Sequence, residues 1–97
     1  MGVYYSKPKR YPAGIGILSH LCADTTEELM AFAEILGMNP KWLLDVGTHK
    51  EHFDVFGLKL KTLQAMPDLE CLDEPQFVAR LRERKERMMI ERGKADV

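Results

Sequence analysis

The sequence predicts a small single-domain α/β fold, in which a few short strands are packed by helices and a long helix forms the C-terminal part. The chain has 97 residues, of which 45% are hydrophobic and 30% are charged, which suits one modest core and not two. Short apolar runs alternate with segments of helical periodicity, and capping residues, prolines and glycines separate them. We therefore expect strands and helices to share one core.

The first two elements are predicted to be short strands joined by a loop. Residues 1–5 favour a strand because β-branched and aromatic side chains fill positions 3–5. Residues 7–14 contain two prolines and a glycine, which is typical of a loop. Residues 15–18 form a short apolar run and are expected to be a second buried strand.

A helix is predicted over residues 25–36. Asp24 is a good capping residue ahead of an acidic first turn, where free amides and the helix dipole favour negative charge. Gly37 supplies the usual stop. The apolar residues that form one stripe along this helix are Leu29, Phe32, Ala33 and Leu36.

The segment that follows is predicted to be helical in one place and is ambiguous in another. Asn39 caps a short helix that has Pro40 at its first position and ends before Gly47. Residues 55–66 fit both strand alternation and helical spacing. The spacing of these residues alone leaves both possibilities open.

The last part of the chain is predicted to contain a strand at residues 69–72 and then a long helix. The helix begins at Asp73 or Glu74, ahead of a proline, and reaches about residue 92. Its first turns carry apolar residues, whereas residues 82–87 are all charged. We expect this charged part to project into solvent or to meet a partner.

Composition excludes several classes of protein. Lys and Arg total 14 and Asp and Glu total 15, for a net charge of -1, so no overall positive field attracts nucleic acid. No stretch approaches the roughly 20 apolar residues that a membrane-spanning helix needs. Cys22 and Cys71 are too few for a disulfide framework and are expected to be small buried hydrophobic residues. A soluble cytoplasmic protein is the expectation.

All three histidines lie close to aspartates, in residues 19–24 and 49–54. Imidazoles and carboxylates together bind divalent metals, move protons or orient polar ligands. If the two segments meet, they could share one divalent ion, for which the candidate ligands are His20, His49, His52 and Asp54. In an enzyme, His52 is the candidate general base and Asp54 its orienting partner.

Each of these residues also has a purely structural explanation. Asp24 fits a helix cap, and His20 fits a half-buried ring that is hydrogen-bonded to backbone. His49 fits an exposed loop. His52 and Asp54 are harder to explain together in this way.

Three basic residues are candidate anion contacts, namely Lys7, Arg10 and Lys41. Lys7 and Arg10 are interleaved with tyrosines and could hold a phosphate if their loop folds over the histidines, although a solvated loop is the simpler alternative. With His20 and Asp24, these three residues form the predicted ligand-binding set.

The histidine segments belong to a longer pattern. It runs Ser19-His20-Leu21-Cys22-Ala23-Asp24, then Glu28-Leu29, Phe32-Ala33, Leu36-Gly37, Trp42 and His52-Phe53-Asp54. The pattern resembles a small uncharacterised family of bacterial and phage proteins, the domain of unknown function 4031. The resemblance covers about residues 1–72, and we assign residues 73–97 to the same domain as its C-terminal helix and tail.

The resemblance implies that the histidines and aspartates of both segments belong to one shared pattern, and that a helix follows Asp54 and leads to a strand near Leu69. It implies no established activity. The chain departs from the family where Ser6 replaces an aspartate and where Phe56-Gly57 replaces a polar helix start. If that aspartate is a ligand in relatives, its absence argues against a metal site here.

A second likeness is shorter. Residues 32–44 are similar to the closing helices of phage-repressor-type helix-turn-helix domains. Because no recognition helix is visible upstream, we rank this likeness below the first.

The leading functional hypothesis is a phage or bacterial domain that binds a polar or anionic ligand at the His/Asp cluster, with hydrolysis as the reaction considered and a divalent metal as candidate cofactor. One alternative is a non-enzymatic regulator or inhibitor that acts through its C-terminal helix and the surface around Trp42. A helix-turn-helix-like nucleic-acid binder is another. Residues 88–90, Met-Met-Ile, predict a homo-oligomer contact on the last helix.

Overall fold

The computed structural model describes residues 2–12 and 14–95, and within these ranges it contains five strands, three α-helices and one turn of 3₁₀ helix. The strands are β1 (Val3–Ser6), β2 (Lys9–Tyr11), β3 (Gly16–Ala23), β4 (Phe53–Phe56) and β5 (Glu70–Leu72). The helices are α1 (Thr26–Leu36), α2 (Gly57–Gln64) and α3 (Glu74–Ala95), and the 3₁₀ turn is Pro40–Trp42. The predicted α/β fold with a long C-terminal helix is confirmed.

β3 is the central strand of the mixed sheet. β4 pairs antiparallel with one edge of β3, while β1 and β2 follow one another, also antiparallel, along the other edge. Pro8 lies between β1 and β2. Because proline has no amide hydrogen to donate to a neighbouring strand, it suits this interruption of the pairing. β5 pairs parallel with β1. The register of β3 and β4 places His20 directly opposite Asp54.

One face of the sheet carries the main core. Leu21, Phe53 and Val55 point to this face and are fully buried. Apolar residues of α1 and α2 cover them, including Leu29 and Leu63. The apolar stripe predicted for the first helix therefore packs in the main core, as its spacing predicts.

The other face is covered only in part. Tyr4 and Cys22 point to it, and Phe77 of α3 packs on them, with the rings of Tyr4 and Phe77 5.5 Å apart. Because side chains alternate along a strand, His20 and Asp54 share this face. They lie beside the area that α3 covers and stay half-buried.

Several predicted elements are confirmed. The helix at residues 25–36, the helix after Asp54, the strand near Leu69 and the long last helix are all present, with ends shifted by a few residues. The strand predicted over residues 1–5 is present as β1, and Met1 lies outside the described residues.

The prediction of a loop over residues 7–14 is wrong at residues 9–11. Lys9–Tyr11 forms β2, which pairs antiparallel with residues 16–18, and Ala13 lies outside the described residues. The strand predicted at residues 15–18 is also too short, since β3 continues to Ala23. His20 therefore lies within a strand.

Asp24 is not the cap of α1. Thr25 occupies that position in an extended conformation, and its side-chain oxygen accepts a hydrogen bond of 3.1 Å from the amide of Glu28. The Asp24 carboxylate instead accepts from Arg80 of α3 at 3.1 Å. The adjacent threonine is also a favoured capping residue, and its use as the cap leaves the aspartate for a distant partner.

The short helix predicted after Asn39 is only the 3₁₀ turn Pro40–Trp42. Leu43 is extended, and Leu44 forms an antiparallel bridge with His52, which pulls the chain out of helical geometry. Residues 32–44 thus do not form the pair of closing helices that the helix-turn-helix likeness predicts.

Five of the six residues in the charged part of α3 are exposed, as predicted, and Arg84 is the exception. Arg84 is only 4% exposed, because it pairs with a buried carboxylate of the domain.

Cys22 is buried as expected, and burial raises the pKa of its thiol to about 12, but Cys71 is exposed. Across residues 2–12 and 14–95, none of the helices combines the length and apolar character that crossing a membrane requires.

Candidate functional site

His20, His52 and Asp54 converge on the half-covered face of the sheet. Nε2 of His20 lies 3.6 Å from Oδ1 of Asp54, and Nε2 of His52 lies 3.4 Å from the same oxygen. The two imidazole rings are 4.9 Å apart. Strand pairing produces this arrangement, because β3 and β4 put His20 opposite Asp54 and His52 immediately precedes β4.

His52 is oriented by the loop that precedes it. Its Nδ1 lies 2.8 Å from the carbonyl oxygen of Lys50, and since a carbonyl only accepts, Nδ1 carries the proton. The carboxylate of Asp45, 3.7 Å from Nδ1, favours the same tautomer. Nε2 is therefore left with a free lone pair directed at Asp54, which is how a histidine ligand is held in metal sites.

The carboxylate of Asp54 has an unusual environment. Oδ1 is buried, and no side-chain or backbone group of the described residues forms a hydrogen bond with it. A buried oxygen without a hydrogen bond costs about 1–3 kcal/mol, and more when it is charged. A cation placed between this oxygen and the two imidazoles would remove that cost.

His20 is biased toward its neutral form. Burial lowers its pKa, and the neighbouring His52 lowers it further, while Asp54 acts in the opposite direction. A neutral imidazole is the form that ligates metal. Tyr11 and Phe77 flank the ring of His20, with centroids 6.0 Å and 6.3 Å away, and contribute to its burial.

The three candidate ligand atoms all lie within 4.8 Å of one another, and no other such group of three occurs in the residues that the structure describes. Bonds of about 2.0–2.2 Å to zinc separate tetrahedral ligands by about 3.4 Å, which is close to the 3.6 Å and 3.4 Å from Oδ1 of Asp54 to the two imidazole nitrogens. Two imidazole nitrogens and one carboxylate oxygen suit zinc and its neighbours better than calcium or magnesium.

Ser6 stands where the resemblance implies an aspartate. It ends β1 next to His20, and its hydroxyl oxygen accepts a hydrogen bond of 2.9 Å from the His20 amide. In this chain the side chain therefore fixes the backbone under His20.

The structure separates the other predicted residues from this cluster. His49 lines a different cavity with Lys85 and Arg92, and its pKa is lowered by burial and then by Lys85. Asp24 belongs to the arginine contacts of α3.

The predicted anion contacts are spread over three places. Lys7 lines a small cavity with Ser6 and Phe77, and Arg10 is exposed on β2. Lys41 lines a groove of about 770 Å³ to which Asp54 also contributes. Of the three, only Lys41 thus shares a cavity with a member of the cluster.

Sequence reasoning missed Glu51, the residue before His52. It is 1% exposed, and it accepts hydrogen bonds from the Thr26 hydroxyl, from Arg84 at 2.5 Å and from the Gly47 amide at 3.2 Å. Burial alone would raise its pKa, but these hydrogen bonds outweigh burial and lower it. Glu51 therefore anchors the loop that carries His52.

A signal for this anchor is present in the sequence. Arg80, Arg84 and Arg87 follow at spacings of four and three, which puts them on one face of α3. The carboxylates that they meet are Asp24, Glu51 and Glu70. The spacing predicts a basic stripe facing acidic groups, although it does not name them.

Comparison with known families gives one result. The sequence model of a family described as "Protein of unknown function (DUF4031)" matches residues 4–66, which span β1 to α2 and include all three residues of the cluster. Searches of curated proteins and of solved structures give no significant match.

Proposed function

The chain belongs to the DUF4031 family of proteins of unknown function, and from its site geometry we propose that it binds a divalent transition-metal ion through His20, His52 and Asp54. The ion would keep coordination positions open toward solvent, because His20 and Asp54 are about one third exposed. A polar or anionic ligand, or a water molecule, would occupy them.

One observation carries the proposal. Oδ1 of Asp54 is buried, has no hydrogen bond from any of the described residues and faces Nε2 of both histidines. A carboxylate that served only the fold would be expected to have a donor. A metal ion supplies the missing partner for all three atoms at once.

Hydrolysis is the reaction that such an open site supports. Three protein ligands and an open position are typical of catalytic zinc, which lowers the pKa of its bound water and so generates a nucleophile near neutral pH. If the site works without metal, His52 is the candidate general base with Nε2 as the basic atom. Its ring is then oriented through Nδ1 by the Lys50 carbonyl and Asp45, whereas Asp54 lies beside Nε2.

Metal titration tests the proposal. Protein freed of metal with chelator is titrated with Zn²⁺ by calorimetry and with Co²⁺ by visible absorption. We expect one ion per chain and Co²⁺ bands typical of nitrogen and oxygen ligands. His52→Ala and Asp54→Asn each remove a ligand, so affinity should fall by at least about 100-fold, which corresponds to about 2.7 kcal/mol.

His49→Ala is the matched control, because it removes the one histidine outside the cluster. It should bind Zn²⁺ as the unchanged protein does. Equal affinity in the unchanged protein, His52→Ala and Asp54→Asn would contradict the proposal, and circular dichroism of each variant separates loss of a ligand from loss of the fold.

A further inference from the structure

We infer that the groove beside the cluster binds a small amphiphilic anion, with an apolar body and one carboxylate or phosphate group. The groove opens beside Asp54, and its wall is otherwise apolar except for two lysines. Its lining residues that carry the argument are Trp42, Leu44, Phe56, Leu58, Lys41 and Lys59. The inference rests on the proposed metal site only for the position of the anionic group.

The apolar wall is exposed to solvent. Trp42 is 54% exposed, Phe56 61% and Leu58 80%. Three different segments bring them together, namely the 3₁₀ turn, the end of β4 and the start of α2. Large apolar side chains that gather in one concave place mark a binding site far more often than scattered ones do.

The size of the groove indicates a small molecule. Its volume of about 770 Å³ lies within the range of roughly 300–1,000 Å³ that is typical of small-molecule sites. An acyl chain of medium length or an aromatic ring system with one charged group fits such a volume.

The charges in the groove indicate an anion. Lys41 and Lys59 line it, and Asp54 is the one carboxylate among its lining residues. Nζ of Lys59 lies 3.4 Å from the carbonyl oxygen of Leu36, which holds the amine at the groove and leaves two of its three protons for a ligand. With an ion bound at Asp54, every charge that faces the ligand is positive.

These features fix how the ligand lies. Its anionic group points to the Asp54 end and completes the coordination of the ion, and its apolar body lies on Trp42, Phe56 and Leu58. The metal thus contributes to binding the anionic group, whereas the wall supplies affinity for the apolar body.

Trp42 makes the test direct, because it is the single tryptophan of the chain and lines the groove. Octanoate is the probe, and it is titrated with and without Zn²⁺ while tryptophan fluorescence is recorded. We expect a saturable blue shift that needs the acyl chain, so acetate should give none. Octanol lacks the charge and should bind about tenfold more weakly. Zn²⁺ should raise the affinity for octanoate and leave the affinity for octanol unchanged.

Variants locate the site. Phe56→Ser removes an exposed ring of the apolar wall and should weaken the binding of octanoate about tenfold. Ile35→Ser is the matched control, because Ile35 is equally exposed on α1 but does not line the groove, and it should change nothing.

The outcomes separate this inference from the metal site. If Zn²⁺ binds but octanoate causes no shift, or if octanol binds as tightly as octanoate, the inference fails and the metal site stands. If octanoate binds equally with and without bound Zn²⁺, the placement of the anionic group at the ion is wrong. A shift that follows protein concentration instead of octanoate would identify a second copy of the chain as the occupant and overturn the inference.

Discussion

Asp54 keeps one carboxylate oxygen buried between two imidazoles, and that oxygen has no hydrogen bond to the described residues. In the metal-free protein this arrangement costs stability, since the charge has lost water and gained no donor. Asp24 is the contrasting case, because Arg80 and Arg87 both lie within ion-pair distance of its carboxylate. The two aspartates should therefore respond in opposite directions to the same substitution.

Asp54→Asn should raise the free energy of unfolding of the metal-free protein by about 1 kcal/mol, because it removes a buried charge that lacks a donor. Asp24→Asn should lower it by about 1 kcal/mol, because it breaks a half-buried ion pair with Arg80. Urea denaturation at pH 8 with chelator present measures both. A loss of stability in Asp54→Asn would show that the carboxylate has a structural partner.

Part of the cluster is predictable from the sequence. His52 and Asp54 are two residues apart, so in an extended segment they face the same side. The third member is not predictable, because the pairing of His20 with Asp54 joins strands that are far apart in the chain and depends on a register that no local pattern encodes. For the same reason His49 could not be excluded beforehand.

At the level of elements, arginine side chains of α3 bind the helix to the rest of the domain. Arg84 donates to the Ala23 carbonyl at the end of β3 and to Glu51 in the loop before β4. Arg87 reaches the Asp24 carbonyl at 3.2 Å. The predicted oligomer contact at residues 88–90 stays a prediction. Removing residues 82–97 would not test it cleanly, since the removal takes Arg84 away as well.

Arg84→Met should lower the free energy of unfolding by about 3–5 kcal/mol, because it leaves the buried Glu51 carboxylate without its cation. The double variant Arg84→Met with Glu51→Leu should lose less than Arg84→Met alone, since no charge stays buried. Arg82→Met is the matched control, because Arg82 is exposed, and it should change stability by less than about 0.5 kcal/mol. A double variant less stable than the single one would contradict this account.

The course of α3 was predictable, but its charged face was not. Capping residues and the proline define its start, and the structure confirms it. Residues 82–87 look solvated because glutamates and arginines alternate within the helix and can satisfy one another. The buried partner of Arg84 comes from a loop 33 residues earlier, so only the tertiary structure shows that this arginine is part of the core.

For the whole molecule, Glu51 should set much of the acid sensitivity. Its pKa in the folded protein is lowered by hydrogen bonds from Thr26 and Arg84 that outweigh burial, whereas in the unfolded chain it has the ordinary value of about 4.3. A carboxylate of this kind contributes its full stability above the ordinary value and loses it as pH falls toward the folded value.

The free energy of unfolding should therefore decline as pH drops below about 4.5, and Glu51→Gln should flatten this decline. Urea denaturation between about pH 3 and pH 6 measures it. Glu34→Gln, at an exposed position of α1, is the control and should keep the slope of the unchanged protein. An unchanged slope in Glu51→Gln would assign the acid sensitivity to other groups.

The ion pair between Arg84 and Glu51 also bears on where the smallest autonomous folding unit ends. The family match ends at residue 66, yet the cation that neutralises Glu51 is Arg84. Phe77, which packs on Tyr4, also lies outside the match. A fragment that ends at residue 66 would leave the Glu51 carboxylate without its cation and the Tyr4 ring without the cover of Phe77. An expressible minimal version of this domain must accordingly retain the chain through Arg87, whose contact with Asp24 is the last of the series.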